Sequence, residues 1–169
     1  YPWAKQAVEE RSSRGVISGR GDGSFAPGES ISRGDFVLML DRALGFDETS
    51  GTGFGDVPES AYYAAAVTRA KALGIAQGAD NKFRPGDRLT RQEAMVLIDR
   101  ALTASGRGIS AHGSLDGYSD AASVAAWARD AAARLTAAGV MSGADGKLDP
   151  GGYMTRAQLA VALYRALGL

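Results

Sequence analysis

The stretch that decides the fold is LTRQEAMVLIDRAL, residues 89–102. Thr90 and Glu93 have the spacing of a capping box. The threonine side chain covers one orphan backbone N–H at a helix start, and the glutamate reaches back to another. Ala94, Leu97, Ile98, Ala101 and Leu102 then recur at helical spacing and give the helix one apolar face. Leu89 precedes the cap, where an apolar residue can staple the first turn. Arg91 is the exception. It falls on the first helical position, where the macrodipole is positive and a cation is disfavoured.

The same pattern occurs twice more. ISRGD (31–35) and MTRAQ (154–158) match LTRQE, and each copy closes on RAL at 42–44, 100–102 and 165–167. Ahead of each lies a glycine-bounded turn, GVISG (15–19), GIAQG (74–78) or GVMSG (139–143), and then FAPG (25–28), FRPG (83–86) or LDPG (148–151). Arg33 and Arg91 stand 58 residues apart; Arg91 and Arg156 stand 65 apart, the excess coming from the linker at 103–117. Phe36, Val37, Leu40 and Leu44 form the apolar face in copy one, and Leu159, Leu163, Ala166 and Leu167 in copy three. Before each turn a first helix is expected, through Tyr63, Val67, Ala70 and Leu73 to a stop at Gly74, and through Ala128, Ala131, Leu135 and Ala138 to Gly139.

A unit of this size buries too little surface to be stable alone, so three copies should pool their helices. The expected fold is all-α: three helix–loop–helix repeats in a pseudo-threefold arrangement around a central helical bundle, with three grooves between repeats. The boundaries read as 1–46 (lacking its N-terminal part), 54–102 and 118–169, together one cooperative domain. The Gly-rich linkers 45–53 and 103–117 are expected to be flexible.

Composition narrows the function. Hydrophobic residues make up 45% and charged residues 22%, and Lys+Arg and Asp+Glu both number 19, so no global field recruits nucleic acid or an anionic membrane. Any anion site must be local. The absence of cysteine rules out disulfides and thiolate chemistry. The single histidine, His112, lies in a linker, and neither a metal-ligand cluster nor a nucleophile–base pair is visible. We expect no enzyme activity, no cofactor and no metal. There is no membrane-spanning run and no signal peptide, and Tyr1 in place of an initiator methionine suggests a fragment or mature form.

The recurring arginine has two readings. Ser32/Asp35, Thr90/Glu93 and Thr155/Gln158 are capping pairs, and the arginine between them could lie on the surface or pair with its neighbouring acid. The sharper reading is an anion site, in which unpaired N–H groups at the helix start and a guanidinium fork together hold a carboxylate or phosphate. On that reading Arg91→Ala weakens binding and leaves folding intact. Trp3, Tyr62 and Trp127 each lie 12 residues before the turn glycine; core packing is the expected role, and stacking on a sugar face the alternative. Asp56 and Asp120, in the matching F-x-D and Y-x-D stretches, could cap the first helix region or accept sugar hydroxyls. Asp22, Asp80 and Asp145 sit in Gly/Asp turns without the spacing of a calcium loop. The tripeptide RGD at 20–22 and 33–35 is weak evidence for adhesion.

These residues carry a family resemblance over essentially the whole chain. SRGD, TRQE and TRAQ resemble the TRAE-type motif of S-layer homology domains, FGDV (54–57) resembles their lead-in, and the aromatics and turns stand in matching order. The resemblance implies a three-pronged helical triplet that attaches S-layer proteins and enzymes noncovalently to the surface of a Gram-positive bacterium. The implied partner is a peptidoglycan-linked secondary cell-wall polysaccharide whose terminal N-acetylmannosamine carries a pyruvate ketal. Arg33, Arg91 and Arg156 are implied to meet the ketal carboxylate. Asp35, Glu93, Gln158, the three aromatics, Asp56, Asp120 and the turn glycines Gly19, Gly78 and Gly143 are expected around it. The module is expected to be a monomer, with no nucleic acid partner and no membrane insertion. Copy one lacks its lead-in and has Gly34 for alanine, which may bring backbone close to ligand, so the Arg91 groove ranks first. Protein–protein adhesion or a structural spacer is the alternative.

Overall fold

A computed structural model describes residues 1–19, 24–48 and 50–168. It is helical, with no strand among the described residues: α1 (Lys5–Ser13), α2 (Arg33–Leu44), α3 (Ala64–Ala72), α4 (Arg91–Ala104), α5 (Arg129–Ala137) and α6 (Arg156–Ala166). Each repeat contributes two helices. The even-numbered helices begin where the motif predicts, with Ser32, Thr90 and Thr155 as N-caps. The reciprocal capping box forms at Thr90/Glu93 and Thr155/Gln158. At Ser32 only half of it is seen: the serine accepts from the Asp35 amide, while the Asp35 carboxylate, one methylene shorter than glutamate, accepts from the Tyr62 hydroxyl at 2.5 Å. Gly74 and Gly139 end the first-helix segments with φ of +72° and +70°, the left-handed stop that only glycine takes without strain.

The core is one contiguous cluster drawn from all three repeats, including Phe36 and Leu40 of α2, Met95, Ile98 and Leu102 of α4, and Leu159 and Leu163 of α6. Each large side chain so buried contributes about 1.5–3 kcal/mol. The helices pair across repeats: α2 packs on α3, α4 on α5 and α6 on α1, and α2 also touches α4 and α6.

The residues ahead of the caps tie the repeats together. The amide of Ile31 donates to the Met154 carbonyl at 2.9 Å, Met154 to Leu89 at 2.8 Å, and Leu89 back to Ile31 at 3.3 Å. Three segments distant in sequence thus close a cycle of backbone bonds. The side chains of all three residues are buried, so these amides have no water to turn to and must pair with one another. Local stapling was the reading from sequence; the structure gives these positions a long-range role as well.

Two seams are closed by ion pairs. Arg69 forks onto Asp41, its Nε donating to Oδ1 at 3.1 Å and Nη2 to Oδ2, and Arg134 onto Asp99 at 2.9 and 2.7 Å. These bonds hold both guanidinium groups above their ordinary pKa. At the third seam the Arg11 guanidinium lies 5.2 Å from the ring centre of Tyr164, and its buried Nε has no hydrogen-bond partner. The linkers are not loose threads. Leu115 is buried and Ile109 packs against the core, Lys71 donates to the Gly53 carbonyl at 2.8 Å, and α4 runs on to Ala104, inside the stretch read as linker. Gly34 leaves room for the ring of Tyr63, whose Cδ1 would stand 3.0 Å from an added Cβ. The close neighbour there is a side chain of the next repeat.

Candidate binding grooves

The helix starts are not vacant. The first two amides of α2 donate to the carbonyls of Asp87 and Pro85, those of α4 to Gly152 and Pro150, and those of α6 to Glu29 and Pro27. The third amide of each helix goes to the cap hydroxyl. The Pro-Gly loop of another repeat therefore occupies the place that an anion was expected to take.

The arginine side chains follow their amides. Arg33 donates from Nε to the Phe83 carbonyl at 2.9 Å and from Nη1 to Glu93 at 3.1 Å. Arg91 donates to the carbonyls of Leu148 at 2.8 Å and Ser142 at 3.1 Å, and Arg156 to those of Phe25 at 2.8 Å and Ser18 at 2.7 Å. A cation at the first helical position is thus explained by what it reaches across the repeat boundary. Burial pulls the Arg33 and Arg91 guanidinium groups below their usual pKa, although arginine stays charged.

Asp56 and Asp120 hold the same loops from the other side. Asp56 accepts from the amides of Phe83 at 2.8 Å and Arg84 at 2.7 Å, and Asp120 from those of Leu148 and Asp149, both at 2.8 Å. Burial raises the Asp56 pKa, but the amides of Phe83 and Arg84 outweigh it and the carboxyl titrates below its ordinary value. The Leu148 amide lowers that of Asp120 in the same way. Both aspartates serve the loop and lie outside the grooves described next. Asp80 and Asp145 take positive φ in tight turns closed by paired bonds between Ala79 and Lys82 and between Ala144 and Lys147. No cluster of metal-ligating side chains occurs among the described residues. Asp22 and the first RGD lie outside the described residues, and the second RGD is wound into the start of α2.

Three grooves of about 300 Å³ lie between the repeats, each drawing on all three copies. The first contains Arg91, Gly143, Gln158, Arg165 and Trp3. The second contains Arg33, Gly78, Glu93, Arg100 and Trp127. The third contains Arg156, Gly19, Asp35, Arg42 and Tyr62. The motif arginine of one repeat thus meets the fourth motif residue of another and the aromatic of the remaining one. Trp3, Tyr62 and Trp127 are 58%, 70% and 59% exposed, so core packing was the wrong expectation for them. Gly78 and Gly143 are fixed by their turns, where a Cβ would collide with the carbonyl of Lys82 or Lys147. Tyr62 donates to Asp35, and that bond pushes its phenol up to about 12.

Sequence reasoning missed Arg42, Arg100 and Arg165, the arginines of the RAL ends. Each stands seven residues after Asp35, Glu93 or Gln158. Seven residues make two helical turns, so the pair shares one face. That spacing was the available signal.

The architecture is that of a helical repeat module whose recognition surfaces lie at the junctions between copies. The chain belongs to the S-layer homology domain family, whose model matches residues 1–37, 53–95 and 117–160; such domains are cell-wall anchoring modules of S-layer and cell-surface proteins. It is 32% identical to the surface-layer 125 kDa protein of Lysinibacillus sphaericus over 98% of this chain and 14% of that protein. It is 31% identical to an amylopullulanase of Thermoanaerobacterium thermosulfurigenes over 98% of this chain and 9% of the enzyme. With an exoglucanase of Acetivibrio thermocellus it shares 29% identity over 98% of this chain and 15% of the enzyme. The chain thus spans under a sixth of these relatives' length. No helix among the described residues is long and apolar enough to cross a membrane.

Proposed function

We propose that this module anchors a surface protein of a Gram-positive bacterium by noncovalent binding of a secondary cell-wall polysaccharide, at a terminal N-acetylmannosamine bearing a pyruvate ketal. One observation carries the reading: each inter-repeat groove combines buried and exposed arginines with an exposed aromatic from a different repeat. An aromatic face suits the apolar side of a sugar ring, and guanidinium groups suit a ketal carboxylate. A guanidinium carries five N–H donors, and the bonds to Leu148 and Ser142 use Nε and Nη2 of Arg91. The motif arginines then do two things: they hold the neighbouring loop and present charge to the groove. Gln158 and Glu93 lie on the opposite wall, positioned for sugar hydroxyls. Binding, not turnover, is the whole role of this module, which acts as one cooperative, monomeric domain.

Calorimetric titration with a pyruvylated N-acetylmannosamine glycoside, beside the same sugar without pyruvate, tests this. Binding of the pyruvylated form alone is the expected result. Binding of neither would leave protein–protein adhesion as the role.

A further inference from the structure

The three grooves share a plan but differ in charge. In the Arg91 groove, Arg91, Lys147 and Arg165 face one carboxylate, Asp149, because the fourth motif residue there is the neutral Gln158. In the Arg33 groove, Arg33, Lys82, Arg84 and Arg100 face Glu93. Glu93 pairs with Arg33 at 3.1 Å, and Arg84 lies 3.6 Å from Asp87, which leaves Lys82 and Arg100 as surplus cations. In the Arg156 groove, Arg156 and Arg42 are balanced by Glu29 and Asp35. The lysine that precedes the loop in the other two copies is Ser24 here. Tyr62 replaces tryptophan and hydrogen-bonds the Asp35 carboxylate at 2.5 Å, fixing a negative charge on the groove wall.

Arg100 and Arg165 remain open to a ligand. Arg100 makes a 3.3 Å bond to the Ile75 carbonyl and Arg165 a 3.5 Å bond to the Ser142 hydroxyl, and neither has a carboxylate within 4.0 Å among the described residues. Lys82 and Lys147 each help hold one loop aspartate, Asp56 or Asp120, in its ionised form, so that interaction does not separate the two grooves.

We infer that anion binding is divided between the Arg33 and Arg91 grooves, with Arg100 and Arg165 as the residues that receive the ligand's carboxylate, and that the Arg156 groove excludes anionic sugars. This rests on the wall-polysaccharide reading above. A rim charge of this kind is worth roughly three- to tenfold in affinity.

Amide chemical shifts and calorimetric stoichiometry, both measured with the pyruvylated glycoside, test it. The expected result is two sites per chain, with shifts around Gly78 and Gly143 and none around Ser18 and Gly19. R100Q and R165Q should each weaken one site roughly three- to tenfold while melting like the parent, and D35N should create a third. Three equivalent sites in the parent, or shifts centred on Ser18, would overturn the division and leave the wall reading standing. Binding that survives in R100Q/R165Q unchanged would remove those two arginines from the role. No binding in any groove would sink the wall reading and this inference with it.

Discussion

At the α2–α3 and α4–α5 seams, an aspartate eight residues after the motif arginine grips an arginine five residues before the turn glycine: Asp41 with Arg69, and Asp99 with Arg134. At the α6–α1 seam the same two positions hold Tyr164 and Glu10. The cation there is Arg11, at a position that is Ala70 and Leu135 in the other copies. The difference bears on how three similar helix pairs choose their partners. Docked on α2 or α4, α1 would set Glu10 against Asp41 or Asp99, carboxylate against carboxylate. Docked on α6, α3 or α5 would leave its arginine facing a phenol. Specificity among copies comes from such mismatches as much as from the pairs that form.

The comparison can be broken at several points. Asp99→Ala strands Arg134 beside a half-buried seam and should cost about 3 kcal/mol, read by urea denaturation. A loss below about 1 kcal/mol would mean that water screens the pair and that the seam rests on alanine packing. Arg33→Ala, Arg91→Ala and Arg156→Ala should each cost about 2–3 kcal/mol by orphaning the carbonyls of another repeat's loop. All three should cost alike, because this contact is common to the copies whereas the seam contact is not. For Arg91 this reverses the expectation from sequence of unimpaired folding. Tyr164→Asp should lose about 1–2 kcal/mol against Glu10, and adding Glu10→Arg should restore most of it; additive losses in the double variant would deny that these positions meet.

Acid separates the loop clamps from the seams. The folded pKa values of Asp56 and Asp120 are depressed, so their contribution is complete above the ordinary aspartate pKa, near 4, and disappears as pH falls through the depressed values. Thermal melts between about pH 5 and pH 2 should show a shallower decline for Asp120→Asn than for the parent. Arg11→Leu should give the smallest effect, unchanged stability or a gain below about 1 kcal/mol, since it removes a buried Nε without a partner. A clear loss would show that the stack on Tyr164 matters more than that orphaned group.

Helix starts, turn glycines and the apolar faces of α2, α4 and α6 were legible in the sequence because each depends on neighbours within about seven residues. The arginines were legible as an anomaly but not in their role. The macrodipole argument for Arg91 is local, and the compensating carbonyls, Ser142 and Leu148, lie 51 and 57 residues away. Asp56 and Asp120 were hidden for the same reason, since each clamps a loop more than 25 residues downstream. Trp3, Tyr62 and Trp127 matched a helix-core pattern in spacing, and only the packing of the copies shows that they stand at the rims of grooves.

The cycle through Ile31, Met154 and Leu89 sets the size of the module. A linear stack of repeats ends in free edges, tolerates added copies and needs caps at both ends. Here each segment's amide is spent on one neighbour and its carbonyl on the other, so a fourth copy would find no open edge to join. Duplication of a repeat within this chain would have to break the ring before it could lengthen it.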